Sequence, residues 1–310
     1  NTWHENNGFE TLKFNWISEA STRVAALETG DVDMITSLPL NEYSRVGSLP
    51  NMVPLQAPAN TNQAWDMANM PDKDPSITND PRVRQAINYA LDREGIVKAA
   101  YDGVSRPAKD QLITPNVFGH QKDFTAPAYD PDKARALLKD AGLGGGTSMR
   151  VDAQVITFPP AKPILEASIG LWSAVGIESD VRTIEINVWR DRLYGRETTG
   201  RPGAFFMGWS SFLYEAALAW QWHASTNPYA LWSNPKFDAA RDEANEAVDP
   251  KARMAAYRKM AIEEQVENGG PSAFIAENTS AYCLNKTVID PDSYIPWSVP
   301  EIIFNDIKPA

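Results

Sequence analysis

The sequence predicts an α/β protein. Three observations carry that prediction. Apolar stretches with strand periodicity alternate with stretches of helical periodicity along the whole chain. Helices open on a recurring signal, a capping residue followed by proline, at Asp80-Pro81, Asp130-Pro131, Asn234-Pro235 and Asp249-Pro250. No internal repeat or low-complexity tract breaks the pattern.

Residues 10–17, ETLKFNWI, place Leu12, Phe14 and Trp16 on one side and predict a strand. Ser21 or Thr22 then caps a short helix carrying Val24 and Leu27, and Gly30 closes it. VDMIT at 32–36 reads as a short buried strand, which completes a strand–helix–strand unit. Residues 41–62 read as irregular, and 63–67 as a strand. The polar, proline-rich run MPDKDPSITNDP at 70–81 reads as a linker. Residues 80–103 read as two helices joined at Asp92, the first burying Val83, Ile87, Ala90 and Leu91, the second Ile96, Val97 and Ala100.

Beyond a loop to residue 128, Asp130 starts a helix with Ala134, Leu137, Leu138 and Ala141 on one face. Strands at 149–156 and 181–188 flank a helix at 161–175, which ends in a Gly176-Ile177 motif. A short helix at 189–196 leads to a buried strand at 203–209. Phe237, Ala240, Ala244 and Ala247 mark one late helix; Met254, Tyr257, Ala261 and Ile262 mark the next. Strands at 271–276, 282–284 and 301–307 finish the chain, with a second crossing between domains near 277–286.

A chain of 310 residues suits about two domains. Its hydrophobic fraction of 43% supports a packed core. The formal net charge of −11 argues against a nucleic-acid surface, which needs a basic face. Cys283 is the single cysteine, so no intrachain disulfide can form, and it reads as a small buried hydrophobe. No apolar run reaches transmembrane length.

The catalytic motifs are absent. His4, His120 and His223 lie far apart, without metal-type spacing. Gly144-Gly145-Gly146 lacks the Lys-Ser/Thr of a phosphate loop and sits where a helix ends. No G-x-S-x-G elbow and no recognisable carboxylate pair occurs. The stretch richest in side chains suited to binding is FFMGWSSFLYEAALAWQWHASTNPYALW at 205–232, with Trp209, Trp220, Trp222, Trp232, Tyr214 and His223. Two readings fit it: an apolar pocket with a few polar groups, or a Trp-rich core beneath a long loop.

Several phrases in order, STRVAALETGDVDMITSLPL, NDPRVRQAINYALDREGIVKAAYDG, YDPDKARALLKDAG and FFMGWS, resemble the extracellular solute-binding proteins of ABC importers, peptide/nickel type (family 5). SNPKFDAARDEANEAVDPKARMAAYRKM and PSAFIAENTSAYCLNKTV extend the resemblance over nearly the whole chain. It implies a two-lobed, periplasmic-binding-protein-like fold (type II) that closes on its solute about a hinge of crossing strands. On that basis residues 1–75 belong to the end of the first lobe, 76–277 to the second, and 278–310 return to the first. Family members carry a long portion ahead of the segment that begins this chain, so the expected first lobe is incomplete.

The resemblance implies a non-catalytic, monomeric protein outside the cytoplasmic membrane. It would deliver a small-molecule solute to the membrane subunits of an importer, without a cofactor, a bound metal or nucleic acid. Trp209, Ser210 and Ser211 are expected to face the solute, flanked by Trp189, Arg192 and Arg196, with Tyr214, Trp220, Trp222 and His223 nearby. In peptide-binding members, GW is followed by two residues and an Asp that holds the ligand amine. Here Gly208-Trp209-Ser210-Ser211 leads to Phe212, and the nearest acid is Glu215. A Trp-rich setting without that acid suits an oligosaccharide-like solute, with peptides and related compounds as the alternative. The other classes are a receptor-like interaction protein on the same scaffold and a hydrolase using acidic residues.

Overall fold

The structure, a computed structural model, describes residues 8–57, 60–67, 69, 76–153, 161–185, 187–188, 191, 203–211, 214–227, 230–294 and 307–310. The chain divides into two compact units, Asn1–Ala59 with Thr279–Ala310, and Asn60–Asn278.

In the smaller unit, helix α1 (Ala20–Thr29) precedes strand β1 (Met34–Ile35), helix α2 (Tyr43–Gly47) and strand β2 (Met52–Gln56). The last strand among the described residues, β8 (Ala281–Asn285), lies between β1 and β2 and pairs antiparallel with both. Alternation sends Ala281 and Cys283 to one face, packed with Val24, Leu27, Ile35 and Val46. Tyr282 and Leu284 go to the other, against Ile289, Tyr294 and Ile307. Cys283 is thus the buried hydrophobe its neighbours suggest, and burial pushes its thiol up to about 11.

Sequence and structure differ here in two places. Residues 11–18 carry no regular structure, with Phe14 69% and Trp16 96% exposed. Their alternation marks a face suited to a sheet, but it supplies no edge to pair with. Conversely, β2 and α2 lie inside the stretch read as irregular. Pro54 disguised β2; it is tolerated because β2 is an edge strand.

The larger unit is built on a five-stranded sheet. Its strands are β3 (Thr61–Met67), β4 (Thr147–Ala153), β5 (Ile177–Thr183), β6 (Ala204–Ser210) and β7 (Ser272–Asn278), in the order β5-β4-β6-β3-β7. β4 runs parallel to β5 and β6, and β3 antiparallel to β6 and β7. Every residue of β3 is buried. Residues 60–67, assigned to the first lobe on the sequence, group with this unit because β3 fills the gap between β6 and β7. The strand expected at 181–188 falls earlier, at β5, because the parallel ladder with β4 runs from Thr147 opposite Ile177 to Ala153 opposite Thr183. The expected helix at 189–196 and strand at 301–307 lie almost wholly outside the described residues.

Helices cover both faces. On one, Trp65 packs edge-on against Trp172 of α6 (Ala161–Ser173), with ring centroids 5.0 Å apart, and its indole N–H donates to Ser168 Oγ at 3.1 Å. Trp172 in turn donates to the carbonyl of Ile87, which ties α6 to α3 (Pro81–Tyr89). On the other face, Ala64 and Phe274 join a core with Trp220, Phe237, Tyr257 and Met260. These come from α7 (Ala216–Trp220), α8 (Pro235–Glu246) and α9 (Pro250–Glu264).

The helix starts follow the capping logic. Asp80, Asp130, Asn234 and Asp249 each accept a backbone N–H of the first turn, with proline at the start of α3, α5 (Pro131–Asp140), α8 and α9. Asp92 does the same for α4 (Arg93–Tyr101) without a proline. The α3–α4 pair is held by two buried arginines. Arg84 donates to the carbonyls of Thr78, Gly269 and Gly270, and Arg93 to those of Phe274 and Asn88 and to Asn88 Oδ1. Burial pulls both guanidinium groups down to about 10, so they stay charged at neutral pH.

The chain between α9 and β7 passes so close to itself that a Cβ on Gly270 would sit 1.7 Å from the Glu264 carbonyl oxygen. Gly270→Ala is expected to cost roughly 2–3 kcal/mol, read as a lowered denaturation midpoint with an unchanged slope. Wild-type stability in that variant would show that the α9–β7 turn yields freely.

Candidate functional site

The polar centre of the larger unit grows out of β3. Asp66 is opposite Phe205 on β6 and Ser272 on β7, on a face covered by helices. A carboxylate there loses its water and must be compensated by hydrogen bonds and charge. Ser272 Oγ–H donates to Oδ1 at 2.5 Å, and the Trp209 indole N–H donates to Oδ2 at 2.5 Å. Trp209 reaches it because β3 and β6 are antiparallel, with Asn62 opposite Trp209, so both residues share a face.

His223 supplies the charge. It sits in the turn after α7, where its N–H donates to the Trp220 carbonyl. Its Nδ1 lies 2.6 Å from Glu264 Oε1, and its Nε2 lies 3.7 Å from Asp66 Oδ2. Glu264, in the last turn of α9, also accepts the Trp220 indole N–H at 3.0 Å and the Leu112 N–H at 2.9 Å through Oε2. Burial alone would depress the imidazole, but the flanking Asp66 and Glu264 outweigh it and raise it to about 10. His223 is therefore an imidazolium between two carboxylates, with its Nδ1–H donated to Glu264.

Beside this line lies a small cavity between His223, Asp66, Trp209, Trp222, Leu231 and Trp232. It offers about 20 Å³ to the centre of a water molecule, room for about one. The Trp209 and Trp222 rings lie 6.0 Å apart at 34°, and Trp209 meets the His223 ring edge-on at 5.4 Å. Trp209 and Trp222 are half-buried, whereas the other residues named here are buried.

Of the side chains singled out by sequence, Trp209, Trp222 and His223 come together at this cavity. Trp220 does not line it: it is fully buried in the helical core, ring to ring with Tyr257, and serves Glu264. Ser210 ends β6, with its backbone opposite Thr61. Ser211 is buried, and its N–H donates to the Asn60 carbonyl. Tyr214 has a left-handed backbone (φ 54°) and packs against the core around Trp220. Trp189, Arg192 and Arg196 lie outside the described residues. Glu215 accepts the Tyr257 hydroxyl and is 3.8 Å from Arg253, so it is already engaged.

Asp66 and Glu264 escaped the sequence reading, though both left a signal. Asp66 is the one charged residue in the strand TNQAWDM. Glu264 continues the Tyr257–Ala261 stripe on the buried side of α9. An acid on an otherwise apolar face asks for a partner elsewhere in the chain.

The profile of bacterial extracellular solute-binding proteins, family 5 Middle, matches residues 2–230. The chain belongs to this family. It is 27% identical to the dipeptide-binding protein of Escherichia coli K12 over 290 residues, covering 89% of this chain and 51% of that protein. It is 27% identical to heme-binding protein A of Haemophilus influenzae over 272 residues, covering 84% of this chain and 48% of that protein. Among solved structures, HbpA2 from Haemophilus parasuis superposes with a TM-score of 0.80 at 21% identity, covering 96% of this chain and 57% of that one. The family 5 chain thus spans about half the length of the curated relatives it matches, and its α/β fold is the periplasmic-binding-protein fold. Among the described residues, no helix is long and apolar enough to cross a membrane.

The buried charges of this family 5 chain make its stability pH-dependent. An unfolded histidine titrates near 6.5, whereas His223 is held near 10, so folding favours its proton. That stabilisation is complete below about pH 6.5 and is lost as pH rises through 10. Asp110 is pushed up by burial to about 7 from 3.8, and its contribution is lost in the same direction, between about pH 4 and 7. The melting temperature should therefore fall from pH 7 to 10, and His223→Gln should flatten that limb while leaving the Asp110 limb below pH 7. A wild-type melting temperature that climbs over pH 7–10 would contradict the imidazolium assignment.

Proposed function

We propose that this protein is the solute-capturing component of an ABC importer, working outside the cytoplasmic membrane as a non-catalytic monomer. Membership of family 5 and likeness to proteins named for binding a dipeptide and heme support that reading. In it, residues 60–278 form the lobe carrying the solute face, and the membrane subunits of the importer receive the loaded protein.

The observation that carries the choice of solute is the half-buried Trp209–Trp222 pair over the Asp66–His223–Glu264 line. Flat aromatic faces beside a compensated charge suit a neutral solute with a ring to stack. Capture of a peptide amine needs a free carboxylate, and neither position 212 nor Glu215 offers one. Position 212 is Phe, and Glu215 is held by Tyr257 and Arg253. An oligosaccharide-like compound is the solute class this favours. Ser210, Ser211 and Tyr214 are included because they follow Trp209 in the chain. Trp189, Arg192 and Arg196 belong to the same proposal on sequence grounds.

Calorimetric titration with neutral oligosaccharides and with dipeptides separates the solute classes. Binding of an oligosaccharide, weakened about tenfold or more by Trp209→Ala as loss of one stacking face predicts, is the expected result. Tight dipeptide binding without sugar binding would reject the solute class, and unchanged affinity in Trp209→Ala would remove Trp209 from the site.

A further inference from the structure

The two nitrogens of His223 are treated differently. Nδ1 is locked to Glu264 Oε1 at 2.6 Å, which fixes the plane and direction of the ring. Nε2 is buried and has no hydrogen-bond partner among the described residues, since Asp66 Oδ2 at 3.7 Å is too far for a direct bond. An orphaned polar atom in a side chain 6% exposed is costly unless something meets it. His223 and Asp66 both line the Trp-walled cavity. Within its lining, the rings of Trp209 and Trp222 are the half-buried ones, so the way in lies along them.

The polar floor therefore presents one donor, Nε2–H, and one acceptor, Asp66 Oδ2, 3.7 Å apart. A single atom that both accepts and donates can satisfy the two together. A hydroxyl does this. An ammonium group has nothing with which to accept from Nε2–H, a carbonyl has nothing to donate to Asp66, and a carboxylate is repelled by Asp66. The remaining walls, Trp232 and Leu231 with the two rim tryptophans, are apolar, and the free space holds one small group rather than a whole ring.

We propose that the cavity over His223 and Asp66 is a hydroxyl-reading subsite. A polyhydroxylated solute packs against Trp209 and Trp222 and inserts one hydroxyl that bridges His223 Nε2 and Asp66 Oδ2, with a water molecule as its resident substitute. This rests on the solute-binding reading and sharpens it. Specificity comes from the hydroxyl, because an analogue lacking it leaves the buried pair unmet. The high imidazole affinity for protons keeps Nε2–H a donor throughout the neutral range.

The test is intrinsic tryptophan fluorescence of the full chain, titrated with ethylene glycol, xylitol and cellobiose, and separately with Ala-Ala and tetramethylammonium chloride. Saturable quenching by the polyols, weakened at least tenfold in Trp222→Ala and in Asp66→Asn, is expected. Trp222 is at the rim, so its variant reports on the subsite even if Asp66→Asn folds poorly. Polyol affinity within twofold of wild type in Trp222→Ala would overturn the subsite, as would stronger binding of tetramethylammonium than of any polyol. Binding of Ala-Ala alone would overturn the subsite while leaving solute capture intact. No response to any probe would count against solute capture itself, and the subsite would fall with it.

Discussion

A carboxylate on an interior strand of a sheet covered on both faces has to be neutralised from elsewhere in the chain. Asp66 imposes that constraint on the larger unit. β3 lies between β6 and β7, and helices cover the sheet above and below. Bulk water is excluded from Asp66 there, so Ser272 and Trp209 donate to it and the charge of His223 lies 3.7 Å away. His223 then needs its own second partner, which is Glu264, and Glu264 draws in Trp220 and Leu112. One buried charge thus fixes the positions of strands β6 and β7, the turn after α7 and the end of α9. The Trp-walled cavity is a by-product of the same arrangement, because Trp209 is pulled toward Asp66 and carries its ring onto Trp222.

The same logic holds the opposite face. Arg84 and Arg93 are buried cations without a carboxylate in salt-bridge contact among the described residues, and both donate to carbonyl oxygens on a distant segment. Arg84 grips Gly269 and Gly270, just where the chain turns from α9 into β7. Glu264 ends α9 on one side of that turn, and Ser272 begins β7 on the other. The α3–α4 pair, which contributes no residue to the cavity lining, is therefore coupled to the site through the backbone it holds in place. Its role is positional, and the close approach at Gly270 is the tightest point of that coupling.

Local signals were legible where local physics decides. The capping aspartates and asparagine, each with a following proline, mark helix starts that the structure keeps, because a cap is satisfied within a few residues of itself. Buried strands β6 and β8 were legible as apolar runs, and β3 as a strand at 63–67. Strand pairing was not. The alternating stretch at 11–18 stays without regular structure, β5 starts at Ile177 rather than inside the predicted stretch, and β2 forms despite Pro54. In each case the outcome depends on which edge is free to pair, and that is a property of distant segments.

The sequence by itself determined the α/β class, the family, the starts of the proline-capped helices and the concentration of tryptophan between β6 and α8. It could not separate a Trp-rich core from a Trp-lined pocket, because both use the same residues. The tertiary structure decided that question residue by residue. Trp220 is core, whereas Trp209 and Trp222 are rim, and His223 lies between two acids that sit about 157 and 41 residues from it along the chain. Buried charges find their partners through space rather than along the sequence, so only the folded chain shows which acid answers which base.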